Sequence, residues 1–260
     1  MSRGFGVTAG LDEAIASPLA ARCQELGYGS MWSSDIPQAK GLETLAAYAK
    51  GADRIDLGVA AIALDRHSPD EIAADVDRLE LDRGNLWLGV GAGFTEKPLT
   101  TMRESLPRLR EALPGVRLVL AAMGPRMSAL AGAEWDGGFF NWMTPEYAAQ
   151  ARERVEEGAG DAGRAPPPVF GYVRTAVGPD AEQRLAKDES FYRDLHQGYR
   201  SHFDRLGAPE GTVGVAADNA GEAQTELARY RALDTVVVRA LASAKLEDMS
   251  ALAEAAAPGV

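Results

Sequence analysis

The sequence predicts a single (β/α)8 barrel, and three observations predict it. Short apolar runs suited to buried parallel strands recur eight times along the chain. Each is followed by an amphipathic stretch of roughly 10 to 20 residues, the rhythm of repeated βα units. The 260 residues lie near the roughly 250 of such a barrel, and strict alternation favours closure over an open doubly wound sheet. Residues 1–260 therefore read as one domain.

The first strand is Phe5–Thr8, followed by the helical LDEAIASPLAARCQELG. Ser30–Ser33 is the second, before ETLAAYAKGA. The third, Ile55–Val59, continues as IDLGVAAIALDRHSP, where Gly58 and two alanines allow a bulge that would set backbone against a flat ring system. SPDEIAADVDRLELD then leads to the fourth strand, Leu86–Val90, which runs into GVGAGF and the helix MRESLPRLREAL. Val116–Ala121 is the fifth strand, with RMSALAGAE after it, and Gly137–Trp142 the sixth, with PEYAAQARERVEEGA. GDAGRAPPP is a link, too short for a domain boundary, before the seventh strand, Val169–Thr175. The eighth is Thr235–Arg239, closed by SAKLEDMSALAEAAA. The seventh connection is long, about 60 residues. It reads as one helix over approximately Asp180–Leu206 and, after GAPEGTVGVAAD, a second beginning at Asn219.

Composition narrows the function. Hydrophobic residues make up 46% and aromatics 7%, enough for a sizeable core. A net charge of −11 with pI ≈ 4.8 excludes nonspecific binding to nucleic acid or anionic lipid, which depends on Lys and Arg displacing counterions. The lone Cys23 excludes a disulfide framework within the chain, and helical spacing puts it on a buried apolar face. MSRGFGVTAGLDEAIA is unlike a signal peptide, and no window carries the roughly 18 apolar residues of a membrane span, so a cytoplasmic protein acting on a small molecule is expected.

In such barrels the chemistry sits at the C-terminal strand ends, which makes residues just after each run the candidates. They are Ser34, Asp35 and Ile36; Ala61 and Ile62; Gly91 and Ala92; Met123 to Met127; Asn141 and Trp142; Arg174 and Thr175; and Arg239. In AAMGPRMSALAG a strand ends in small residues, Gly124 and Pro125 turn the chain, and Arg126 opens a helix whose free N–H groups suit a phosphate. An ordinary turn with a solvated Arg126 is the other reading. The glycines of GVGAGF let a planar ligand approach or simply pack the mouth, and as a dinucleotide fingerprint the run fails at Phe94. Arg174 and Arg239 end neighbouring strands. Their anionic partner is a substrate carboxylate or phosphate, or else Asp35 or Glu43. His67 reads as an exposed or capping residue. His196 and His202, six apart, do not share a helical face, and no metal site is indicated.

Taken together, AARCQELGYGSMWSSD, ETLAAYAKGADRIDLGVAA, SPDEIAADVDRLELDRGNLWLGVGAG, LVLAAMGPRMSALAGAEWDGGFFNW and YRALDTVVVRAL resemble the luciferase-like monooxygenase superfamily of flavin- or deazaflavin-dependent barrels, across nearly the whole chain. The resemblance implies an oxidoreductase or monooxygenase using coenzyme F-420 or FMN on a small organic substrate. AAMGPRM and DGGFFNW tilt the choice toward F-420. It implies a ring over the third-strand bulge at Ala61 and Ile62, where the family often has a non-prolyl cis peptide. Gly91 and Ala92 would line the ring or tail, and Met123, Gly124, Pro125, Arg126 and Met127 the phosphate. Asp35 would be a base or orienting group, with Arg174 and Arg239 around the reacting atoms. A homodimer is expected by analogy. Two departures stand out. Ile36 replaces a histidine common after Ser-Asp in the family, and the segment after strand four is shortened to about 20 residues, removing part of the usual cover. They leave open a member without turnover that binds cofactor or serves structurally; a lyase or isomerase barrel for a phosphorylated substrate is the third reading.

Overall fold

In the computed structural model, which describes residues 2–259, nine parallel strands alternate with ten α-helices. The strands are β1 (Ser2–Thr8), β2 (Ser30–Ser34), β3 (Asp56–Ala63), β4 (Leu86–Gly91), β5 (Arg117–Ala122), β6 (Gly137–Asn141), β7 (Val169–Val177), β8 (Val215–Ala217) and β9 (Thr235–Ala240). Strands β1 to β7 pair in sequence, β7 then pairs with β9, and β9 returns to β1, closing an eight-stranded barrel. The eight runs expected from the sequence are these eight strands. The ninth, β8, lies outside the barrel. It pairs with Thr175–Val177 on the side of β7 that β6 leaves free beyond Tyr172.

The helices are α1 (Glu13–Glu25), α2 (Gly41–Ala49), α3 (Pro69–Arg78), α4 (Pro98–Ala112), α5 (Pro125–Glu134), α6 (Pro145–Asp161), α7 (Ala181–Leu195), α8 (Gln197–Leu206), α9 (Ala220–Ala228) and α10 (Leu246–Ala255). Local chemistry sets their starts. Asp12 accepts from the N–H of Ala14, Asn219 from that of Glu222, and Ser68 forms a reciprocal capping box with Glu71 ahead of Pro69. One helix over Asp180–Leu206 was expected, and the structure breaks it at His196. That residue is extended, and its Nδ1 accepts from the N–H of Gly198 at 3.0 Å, so the imidazole caps a new helix where the backbone turns. No helix among the described residues is long and apolar enough to cross a membrane.

Side chains alternate along each strand, which divides the core in two. Trp32, Ala60, Val119, Phe139, Phe170, Tyr172 and Val237 fill the lumen. Ring centroids there lie 4.8 Å apart for Trp32 and Phe139 and 4.7 Å for Phe139 and Tyr172. A Cβ on Gly58 would sit 2.3 Å from the Trp32 ring, so glycine is the residue that admits the indole. The opposite strand faces and the apolar faces of the helices form the larger outer core, where Cys23 is buried and its thiol pKa is raised by desolvation.

Candidate active site

Continuing the lumen alternation upward brings a polar layer to the C-terminal end of the barrel: Thr8, Ser34, Asn141, Arg174 and Arg239. The arc from β3 to β5 is different. Its floor is made of Ala61, Gly91 and Ala121, all half-buried, and a Cβ placed on Gly91 would meet only the Cβ atoms of the two alanines, at 3.6 Å each. The register of β3 against β4 shifts between Ala60 and Ile62, and the Ala60–Ala61 peptide is cis. The bulge lies where the third strand's composition placed it. The side chains of Ile62 and Ala92 turn into the outer core, so these two residues offer the mouth backbone only.

At the end of β5 the chain turns into α5 through Gly124, which gives no side-chain cap and around which a Cβ would meet nothing within 4 Å. Pro125 has no N–H, leaving those of Arg126 and Met127 as free donors of the first turn. The Arg126 side chain is exposed and makes no hydrogen bond or ion pair among the described residues. The carbonyl of Met123 accepts from Tyr147 Oη at 2.7 Å and Arg205 at 3.1 Å, which fixes the turn. Open space at Gly124, two free N–H donors and a guanidinium unpaired among the described residues suit an anion such as a phosphate.

Asp35, just beyond β2, is almost fully buried, and its carboxylate accepts from the N–H of Gly41 at 3.0 Å, from Arg66 at 2.9 Å and from His67 Nε2 at 3.0 Å. A carboxylate only accepts, so the proton on Nε2 of His67 is assigned by its partner and Nδ1 carries the lone pair. His67, expected to be exposed or capping, is instead mostly buried against Asp35. It sets an imidazole on the carboxylate of Asp35, the residue before Ile36.

Neither Asp35 nor Glu43 is the partner of the two strand-end arginines; Glu43 pairs with Arg78. Arg174 is 2% exposed, 3.2 Å from Asp188 of α7, and also donates to Asn141 Oδ1. Its guanidinium lies 4.1 Å from the Trp142 ring and 5.0 Å from Tyr192. Arg239, its register neighbour, donates to the Thr8 hydroxyl and has no carboxylate at ion-pair distance among the described residues. Desolvation first, then repulsion from Arg174, lowers its pKa.

The shortened fourth connection is offset by the seventh. Helices α7 and α8 form a cap with its own apolar cluster of Trp142, Leu185, Phe203 and Val213. Besides Asp188 and Tyr192 on Arg174, the cap places His196 against Phe94 of the β4 loop at 4.2 Å and Arg205 on the Met123 carbonyl. His202, fully buried, donates from Nε2 to the carbonyl of Trp142 at 2.6 Å, while its Nδ1 lies 3.2 Å from the Arg205 guanidinium, which can only donate. The neutral imidazole is thus required. Burial, followed by Arg205, holds its pKa below the ordinary 6.5. The unfolded chain then binds more protons than the folded one between that lowered pKa and 6.5, so His202's contribution is whole above about pH 6.5 and falls as pH drops through this window. His202→Gln, which keeps a donor for Trp142, is expected to flatten the fall in melting temperature between about pH 7 and pH 5. Superimposable pH profiles for the two proteins would refute this.

The sequence profile of the luciferase-like monooxygenase family matches residues 113–244, just over half of the chain and spanning β5 to β9. The chain belongs to this family. The solved structures it resembles show the same fold at low identity. The coenzyme F-420-dependent tetrahydromethanopterin reductase from Methanopyrus kandleri aligns with a TM-score of 0.78 at 15% identity, over 100% of this chain and 98% of that one. An F-420-dependent secondary alcohol dehydrogenase, solved with an F-420–acetone adduct, gives 0.73 at 16% over 98% and 99%. The FMN-bound oxygenating constituent of the 3,6-diketocamphane monooxygenase from Pseudomonas putida gives 0.68 at 14% over 100% and 99%. In this luciferase-like barrel the sequence placed the eight strands, ending the third at Val59 where it runs on to Ala63, but missed the contributions of Asp188, Tyr192, His202 and Arg205. Asp188 and Tyr192 lie on α7 and His202 and Arg205 on α8, and the break that separates the two helices falls at His196, not at a glycine or proline.

Proposed function

We propose that this protein is an oxidoreductase that binds coenzyme F-420 or FMN across the β3–β5 arc and acts on a small organic substrate beneath the α7–α8 cap. The floor of Ala61, Gly91 and Ala121 carries the reading. It carries no side chain larger than a methyl, is half-buried, and leads along β5 to the uncapped start of α5, so a planar ring can lie on the alanines while its phosphate meets Gly124, Arg126 and Met127. When bound, the reduced cofactor supplies a hydride, and in FMN members it activates oxygen. Between the two we favour F-420, on the AAMGPRM and DGGFFNW segments.

The chain's own groups divide the remaining work. Asp35, with three donors on its carboxylate, orients His67, and His67 Nδ1 is the atom at which a proton is held or released. That pair weakens one of the two grounds for a member without turnover, the loss of an imidazole at position 36; the shortened segment after strand four is the other. The cap excludes water from the β5–β7 side, and Arg174 holds it there. Titration of the purified protein with FMN and, separately, with F-420 tests the assignment by fluorescence and melting temperature. Tight binding of one is expected, weakened about tenfold in Arg126→Ala through loss of a charge-assisted contact. Unchanged affinity in that variant removes Arg126 from the phosphate site.

A further inference from the structure

We infer that Arg239 is the recognition group for a carboxylate on the substrate, so that the reaction's substrate class is a small carboxylic acid. The inference rests on the reading of the barrel mouth as the site of chemistry and adds the charge of the molecule that enters it.

Arg239 is 7% exposed, at the top of the lumen, and among the described residues only one of its five N–H donors is engaged, by the Thr8 hydroxyl. A guanidinium this buried normally faces a carboxylate, because an unpaired charge in a low-dielectric site is costly. Asp188, the carboxylate whose charge reaches Arg239, is committed to Arg174, and Asp35 is committed to Arg66 and His67. Two guanidinium charges therefore stand against one carboxylate, leaving a single positive charge to be matched. A carboxylate supplies one negative charge and a planar pair of oxygens for the planar fork. A phosphate near neutral pH brings about two and already has a better-suited place at α5.

Unpartnered hydroxyls stand in the same region. Tyr172 Oη and Ser34 Oγ are buried without a hydrogen bond among the described residues. Tyr172 lies in the lumen directly below, its ring centroid 5.7 Å from the Arg239 guanidinium and 6.0 Å from that of Arg174. Desolvation raises its pKa, so Oη remains a donor at neutral pH. Ser34 is in register with Thr8, the residue that Arg239 already touches. A spare guanidinium fork with two buried O–H groups in the surrounding wall is a donor set for an oxyanion, and no acceptor among the described residues answers it.

The test uses the full chain, with trifluoroacetate as the reporter in 19F NMR at constant chloride and trifluoroacetamide as its uncharged counterpart. Trifluoroacetate is expected to bind at least about tenfold more tightly than the amide, and to lose binding in Arg239→Met. Arg239→Lys is expected to restore part of it, since the charge returns without the fork. The melting temperature separates this role from a structural one. Without ligand, Arg239→Met is expected to melt at or above the wild-type temperature, because a buried charge lacking a counter-ion has been removed; a structural arginine would melt lower. Equal binding of acid and amide, or undiminished binding of the acid by Arg239→Met, overturns the inference. Adding FMN or F-420 identifies the owner of the anion. Simultaneous binding supports a substrate carboxylate, and one-for-one displacement overturns it in favour of the cofactor. If the acid binds through Arg239 while neither cofactor binds, the carboxylate site stands and the oxidoreductase reading falls.

Discussion

Gly91→Val is expected to abolish cofactor binding, lowering affinity at least about a hundredfold, while the protein stays folded with a stability change of about 1 kcal/mol or less. The backbone at Gly91 has no positive φ to protect, and a side chain there meets only the Cβ atoms of Ala61 and Ala121 at ordinary contact distance. The strand accepts valine; the floor does not, because the new methyls occupy the layer where a flat ring must lie. Two residues earlier on the same strand face the outcome reverses. A Cβ on Gly89 would stand 2.7 Å from the Cβ of Ala60 and 2.8 Å from the carbonyl oxygen of Val59, inside the β3–β4 ladder. Gly89→Val therefore costs several kcal/mol, beyond the ordinary penalty of overpacking, because backbone must move. Chemical denaturation of both variants with a cofactor titration of Gly91→Val reads the contrast. Wild-type cofactor affinity in Gly91→Val would place the ring elsewhere and withdraw the β3–β5 floor from the proposed site.

The two glycines also mark how far the sequence can be read. The barrel was legible because parallel strands buried on both faces must be short apolar runs, and the fold then puts its site at their C-terminal ends. Glycines and alanines on the third and fourth strands announced a close approach, but whether each glycine serves packing or an open floor depends on its neighbours across the ladder, which one strand does not reveal. The same limit hid the Asp35–His67 pair, whose members are 32 positions apart and meet only through the β2–β3 register. Arg174 and Arg239 were legible as strand-end cations. Which of them carries a carboxylate was not, since Asp188 reaches Arg174 from helix α7 of the cap, across a contact that only the folded chain brings together.

That cap is the second place where one substitution should act strongly. Arg174→Met is expected to lower stability by about 2–4 kcal/mol and to loosen α7 and α8 ahead of the barrel. Methionine keeps much of the apolar contact with Trp142 and Tyr192, so the loss falls on the charge: Asp188 is left partly buried without its partner, and Asn141 without its donor. Because Asp188 retains some exposure, the cost belongs at the lower end of what breaking a fully buried pair entails. Lysine should rescue little, as it lacks the plane that lies against the two rings and the fork that meets two oxygens at once. Limited proteolysis between Gly178 and Gly214, followed with Trp142 fluorescence, reads the loosening directly. His202 anchors the same cap to the Trp142 carbonyl, so His202→Gln and Arg174→Met act on one interface and should couple rather than add. Strict additivity with unchanged proteolysis would mean that the cap is held by the apolar cluster around Phe203, with Arg174 free to face a ligand instead.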